Sequence, residues 1–277
     1  MTQAKEQIKQ LLGTVMLPFM PARAERLAQE SFSMTTGGRD FVDACLRAGL
    51  ARKLLSQNKE AEIAEYHRKF WEKNNSLEYH RGVRDMVMQV FHDYFEFLIP
   101  EIKTLLAENP DFKTLIEIGS GGGDLLNYLA EQIGQLDTFV GIDLSPEITE
   151  ENKSHYRNAK LRWIADNGKI WVEENGQPNN IFMTFRGVLE YFTTTDLEEM
   201  FGRIATSMQP SIFILVEPIA LTHDLATDVA SHPYGTEYTF SHNYPHLLKQ
   251  AGFDLRLNKL ETFDDHHLCA IIATVGI

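Results

Sequence analysis

Apolar positions in the first 110 residues recur at helical spacing and nowhere alternate as a half-buried strand would. Residues 4–15 place Ile8, Leu11, Leu12 and Val15 on one stripe, which Pro18 and Pro21 then end. Helices are predicted over 39–56 and 60–73, and a long one from Leu77 to Glu108 carries Val83, Val87, Val90, Phe91, Tyr94, Phe97 and Leu98, with Pro100 a bend or break. From Lys113 the pattern changes to short apolar runs alternating with amphipathic ones. It predicts strands at 113–118, 137–142, 160–164, 180–185, 211–216, 253–260 and 267–275. Helices are predicted at 123–134, 146–157, 195–208 and 242–251, with a shorter one near 168–174. Such alternation implies an α/β domain with a mainly parallel sheet, right-handed crossovers and helices on both faces. The last two strands have no helix between them and pair as an antiparallel hairpin through Asp264 and Asp265. The expected division is therefore 1–110, an N-terminal all-helical region, and 111–277, the α/β domain. The helical region either caps an active site, with Tyr66, His67, Trp71, Tyr79, His80 and Arg81 reaching over it, or packs on the sheet and on a partner subunit.

Composition narrows the partners. The 277 residues are 43% hydrophobic, which suits a packed core, and the formal net charge is -13 with no visible Lys/Arg cluster, which opposes a nucleic-acid partner. A small-molecule partner is favoured. No window approaches the roughly 18 apolar residues of a membrane span, and the opening MTQAKEQIKQLLG has charges where a signal peptide is apolar, so a cytoplasmic, non-membrane protein is expected. Cys45 and Cys269 have no metal-type spacing and read as free buried thiols. The Asp264-Asp265-His266-His267 run reads as a solvated turn, and no metal is expected.

The stretch Thr114–Gly123, TLIEIGSGGG, is an apolar strand that breaks into four glycines within five positions, and a helix follows from Asp124. Glycine there lets a ligand press against bare backbone, and the N–H groups opening the next helix have no partner inside it. A dinucleotide fingerprint would place its third glycine at position 124, which is an aspartate here. The order is instead Glu117, Gly119, Gly121, Gly123, and a second apolar run ends in Asp143. This pattern resembles the class I S-adenosylmethionine-dependent methyltransferase family, over roughly Phe112 to the C-terminus.

The resemblance implies a Rossmann-like seven-stranded sheet with an antiparallel last strand, S-adenosyl-L-methionine as cofactor, and methyl transfer to a small-molecule acceptor. Residue by residue it implies that Glu117, Gly119, Ser120, Gly121 and Gly123 follow the methionine part of the cofactor. Asp143 would accept from both ribose hydroxyls, Leu144 would pack on adenine, and Asp166 would receive the adenine amino group, although an Asp-Asn-Gly turn would place an acid at 166 in any case. Arg186 opens the segment Arg186–Tyr191, which resembles the part of the family that touches both cofactor and acceptor. The acceptor side has no motif. His232, His242 and Tyr191 are the catalytic candidates, with His223 a further candidate base, within or near the His- and Tyr-rich stretch from Glu217 to Tyr244. Tyr234, Tyr238 and Tyr244 are placed to line an acceptor pocket or to pack. Glu190 and Glu217 either bind a cationic acceptor or are solvated acids, and Arg81 or Arg186 suits an acceptor carboxylate. Two other readings stay open: an aminopropyltransferase, disfavoured because Thr184-Phe185-Arg186 lacks that family's aspartate, and a non-catalytic cofactor-binding subunit. The long N-terminal helices are compatible with a homodimer, and the sequence leaves the oligomeric state open.

Overall fold

Seven strands form one sheet in the order β3-β2-β1-β4-β5-β9-β8. They are β1 (Thr114–Ile118), β2 (Thr138–Asp143), β3 (Leu161–Ala165), β4 (Asn180–Phe185), β5 (Ser211–Ala220), β8 (Asp254–Thr262) and β9 (His266–Val275), and a separate two-stranded ribbon pairs β6 (His232–Tyr234) with β7 (Thr239–Ser241). This computed structural model describes residues 3–30, 40–73 and 76–277. The first five sheet strands are mutually parallel, and β9 runs antiparallel to both β5 and β8. All seven predicted strands are therefore present, within a few residues of their expected ends. The ribbon β6–β7 was not predicted, because three-residue strands leave no periodic signal.

Strands β1, β2, β4, β5 and β9 are buried on both faces, which is why they read as continuous apolar runs, whereas the edge strands β3 and β8 are partly exposed. One face carries Leu115, Phe139, Ile181 and Ile214 against a layer that includes Leu126 and Leu129 of α7 (Asp124–Gln132) and Ile102 of α6 (Leu98–Glu108). The other carries Ile116, Ile142, Phe182 and Phe213 against Phe201 and Ile204 of α10 (Thr194–Ser207) and Leu248 of α11 (Tyr244–Ala251). Two further helices complete the layers, α8 (Pro146–His155) and α9 (Gly168–Asn175).

Chain contacts divide the molecule into two units, one of Met1–Lys73 with Pro233–Phe240 and a larger one of Asn74–His232 with Ser241–Ile277. The boundary falls after Lys73, not near 110, because α5 (Ser76–Val90) and α6 contribute to the layer on the sheet. The long predicted helix of 77–108 is broken, but ahead of Pro100: a π-helical turn at Phe91–Phe95 separates α5 from α6, burying Phe91 and Phe95. Pro100 itself lies in the first turn of α6, where a missing N–H has no intrahelical partner to lose.

The smaller unit holds α1 (Gln3–Met16), α2 (Pro21–Glu30), α3 (Phe41–Ser56) and α4 (Glu60–Lys73). Arg39, where the sequence reading starts α3, lies outside the described residues; Asp40 caps the helix by accepting the Asp43 N–H at 2.9 Å. The apolar stripe of α1 does not face α3. Ile8, Leu11, Leu12 and Val15 are exposed, while Gly13 is buried where the helices cross, with Gly49 opposite. A Cβ on Gly13 would overlap the Cys45 carbonyl, so backbone proximity selects the packed face. Both Cys45 and Cys269 are free and buried, as expected.

Candidate functional site

In an open α/β sheet a ligand crevice forms at the strand C-termini where the strand order reverses. Here the reversal lies between β1 and β4, and the segments leaving those strands are Gly119–Gly123 and Arg186–Tyr191. Gly119, Gly121 and Gly123 all take positive φ, at 71°, 47° and 77°. The loop is tied down from four sides. Its Gly119 and Ser120 N–H groups donate to the Ile142 carbonyl at 2.8 and 2.9 Å. The Asp143 carboxylate accepts the Gly121 N–H through Oδ2 and the Ser145 N–H through Oδ1, each at 2.9 Å. Buried Asn152 of α8 donates its amide to the Gly121 carbonyl at 2.7 Å. The Tyr156 hydroxyl lies 2.7 Å from Asp124 Oδ1 and 3.0 Å from the Gly122 carbonyl.

Helix α5 is seated on this loop. Arg84 Nε donates to Asp124 Oδ2 at 2.8 Å and its Nη2 to the Tyr156 hydroxyl at 3.2 Å, while Arg81 pairs with Glu151 at 2.5 Å. The His80 ring lies over Gly121, its Cε1 and Nδ1 at 2.6 and 2.7 Å from the position a Cβ would take. Burial lowers the His80 pKa, and the Asp143 and Asp124 charges oppose that shift. Between α5 and α8 lies a cavity of about 110 Å³, lined by Leu77, His80, Arg81, Arg84, Gly122 and Asn152 among others. Ordinary small-molecule pockets measure about 300–1,000 Å³.

The predicted cofactor residues gather at these strand ends. Glu117 is buried in β1 with Oε2 lacking a hydrogen bond, and burial, reinforced by Asp143 and Asp124, pushes its pKa up to about 8. Ser120 is buried and its Oγ also lacks a partner. Leu144 and Asp166 are half-buried after β2 and β3, and Asp166 Oδ1 accepts the Asn167 N–H at 2.7 Å. The Asp-Asn-Gly turn is real, since Asn167 caps α9 by accepting from Lys169 and Ile170. Arg186 has φ 57° and places Nη1 2.6 Å from Met86 Sδ of α5. The orphaned polar atoms of Glu117 and Ser120, beside a backbone cradle open to positive φ and a carboxylate with spare lone pairs, fit a ligand carrying a diol and a positive charge.

The acceptor-side candidates sit in different environments. Tyr191 is half-buried in a 3₁₀ turn, Leu189–Tyr191, directly after β4. His242 is fully buried, its Nδ1 2.7 Å from Ser231 Oγ and its Nε2 3.1 Å from the Phe192 carbonyl, and burial pulls its pKa down to about 4. It is a neutral internal brace, which corrects its reading as a base, and Asn243 caps α11. His232 is exposed and lies 2.6 Å from Asp228 Oδ2, while His223 is buried beside it with ring centroids 5.2 Å apart. Glu217 is neither solvated nor free to hold a cationic acceptor. It is fully buried, its Oε2 accepts the Val188 and Leu189 N–H groups at 3.0 and 3.1 Å, and burial raises its pKa to about 8. Tyr244 is fully buried in the sheet's helical layer, so it packs. Tyr238 belongs to the smaller unit, where its hydroxyl donates to Glu6, and Tyr66, His67 and Trp71 lie on α4 of that unit. His266 pairs with Asp265 at the β8–β9 turn.

Sequence reasoning missed Asn152, Tyr156 and Arg84. No local pattern marks them, since each reaches the glycine loop from 31 to 40 residues away along the chain.

A family model for a methyltransferase domain matches residues 90–258. No curated protein sequence matches the chain. Among solved structures, magnesium protoporphyrin IX methyltransferase from Synechocystis PCC 6803 with bound SAH is similar at TM-score 0.53 and 12% identity, covering 77% of this chain and 99% of that one. A SAM-dependent methyltransferase from Leishmania major is similar at TM-score 0.52 and 13% identity, covering 77% and 82%. At these identities the likeness is one of fold.

Proposed function

Because this chain belongs to the methyltransferase-domain family and is an S-adenosylmethionine-dependent methyltransferase, we propose that its glycine loop and Asp143 hold the donor and that the acceptor is a small molecule. When bound, the cofactor supplies an electrophilic methyl group on a sulfonium. The chain's own task is mainly to hold donor and acceptor in line, since an in-line displacement demands orientation more than acid–base chemistry. Asp143 carries the reading: one carboxylate stitches the loop after β1 to the turn after β2 and keeps lone pairs for a vicinal diol. In this reading Leu144 and Asp166 flank the adenine end, and Glu117, Ser120 and the three glycines the methionine end. Glu217, by accepting two N–H groups, fixes the start of the Leu189–Tyr191 turn, and in this reading Tyr191 faces the acceptor.

The net charge of -13 supports a small acceptor over a nucleic acid, because it repels a polyanion. Calorimetry with S-adenosylmethionine and S-adenosylhomocysteine tests the reading. Saturable one-to-one binding of both is expected, and a folded protein that binds neither would overturn it. A methyl-transfer screen across hydroxyl, amine and thiol acceptors then identifies the nucleophile.

A further inference from the structure

Outside the cofactor site, the segment between β5 and α11 gathers His223, Asp228 and His232 so that one donor atom of each lies within 4.8 Å of the others. We propose that these three side chains bind a divalent transition-metal ion of the zinc type, which clamps the segment 221–232.

The chemistry of the donor set is two imidazole nitrogens and one carboxylate oxygen, a combination that suits zinc and its neighbours and not magnesium or calcium. Metal sites also orient their ligands through the ligand atoms that face away from the ion. That arrangement exists here at two of the three positions. His223 Nδ1 lies 2.8 Å from Ser241 Oγ, whose position is set by the Ala220 N–H it accepts at 2.9 Å. His223 Nε2 lies 3.2 Å from the Asp228 carbonyl, a contact the ion would replace: with Nδ1–H then donating to Ser241 Oγ, the Nε2 lone pair is released for the metal. Asp228 Oδ1 accepts the Ala230 N–H at 3.0 Å, which leaves Oδ2 aimed at His232 Nε2, 2.6 Å away.

The backbone is held as well. Asn243 donates to the carbonyls of Leu225 and Asp228, each at 2.8 Å, so the turn that carries the carboxylate is pinned to the start of α11. Asp224 adds a second negative charge beside the cluster, with its own oxygens engaged by Thr227 and the Ala226 N–H. Burial is graded in a way that admits an ion: His223 is buried, whereas the side chains of His232 and Asp228 are 47% and 42% exposed. Coordination at about 2.0–2.1 Å per ligand sets the donor atoms roughly 3.3 Å apart, so the 2.6 Å His232–Asp228 contact opens and the widest pair, within 4.8 Å now, closes by about 1.5 Å through rotation of the two more exposed side chains. The ion joins the segment after β5 to the first residue of β6, and hydrogen bonds from His223 to Ser241 and from Asn243 to the Asp228 carbonyl tie that segment to β7 and the cap of α11.

The test uses chelator-treated full-length protein titrated with Zn²⁺ in competition with a chromogenic chelator, and with Co²⁺ while its visible absorption is followed. One equivalent of each ion is expected, with Co²⁺ bands of a low-symmetry site and a rise in the thermal midpoint on loading. His232→Ala and Asp228→Asn alter exposed side chains and should fold. Each should weaken binding at least tenfold and abolish the rise, and Ser241→Ala should weaken binding by about tenfold through His223. Absence of one-to-one uptake by the wild type, or uptake unchanged in His232→Ala and Asp228→Asn, overturns the proposal. Binding of S-adenosylhomocysteine is read in the same samples and is expected to be equal with and without zinc, so failure here is separable from failure of the methyltransferase reading.

Discussion

Replacing Asp143 with alanine separates two roles of one carboxylate. In the free protein it accepts the Gly121 and Ser145 N–H groups at 2.9 Å each. Hydrogen bonds to a charged group are worth about 1.5–3 kcal/mol each when buried. Asp143 is half-buried, so water replaces part of what is lost, and the expected fall in unfolding free energy is about 1–2 kcal/mol. The diol contact is a further charged pair worth on the order of 1.5–3 kcal/mol, which corresponds to a rise in Kd of roughly ten- to a hundredfold. Asp143→Asn sharpens the test: its amide oxygen can serve one N–H, but its NH₂ group then faces a second donor. The asparagine variant should therefore lose most of the affinity while keeping more of the stability. Urea unfolding and calorimetry with S-adenosylhomocysteine measure the two quantities. A folded Asp143→Ala protein with Kd within threefold of wild type would remove this residue from the donor site.

Glu217 holds a proton that the unfolded chain has released between about pH 4.5 and 8, so its contribution to stability is greatest at low pH and declines as pH rises through that window. Glu217→Gln keeps an oxygen for Val188 and Leu189 and removes the titration; the loss of unfolding free energy from pH 5.5 to 7.5 should shrink by on the order of 2 kcal/mol, read by urea midpoints. Thr193 and Asp196 form a reciprocal capping box at the start of α10, and Thr193→Ala should cost about 1 kcal/mol in the same assay while leaving cofactor Kd unchanged. Gly121→Ala forces a side chain into φ 47° and to 2.6 Å from His80, so it should cost about 1–3 kcal/mol and weaken S-adenosylhomocysteine binding more than tenfold in calorimetry.

The strands and the donor loop were legible because their signals are local. A doubly buried strand is a run of apolar residues, and the turn after β1 needs its glycines at the very positions where φ is positive. Asp143 was equally legible as the acid ending an apolar run. What escaped depends on tertiary proximity. Asn152 and Tyr156 look like ordinary residues at the end of a helix, yet they hold Gly121 and Gly122. Glu217 has the sequence context of a strand-end acid, and only the ten-residue length of β5 shows that it lies inside the sheet. His242 is chemically identical to an exposed histidine in sequence; the depth that makes it neutral comes from the chain folded around it. The α1 stripe shows the converse, a clear periodicity whose face of contact was decided by two glycines.

The seating of α5 on the glycine loop bears on how fast, and not only how tightly, the donor is taken up. With the His80 ring over Gly121 and a cavity of about 110 Å³ beside it, the proposed donor site predicts that uptake requires the helix to move outward. Observed association rates then level off at high ligand concentration, at the opening rate of α5, where an open crevice would give a rate rising in proportion to concentration. The same motion is expected to lengthen the dwell time of bound S-adenosylhomocysteine, which stopped-flow dissociation measures.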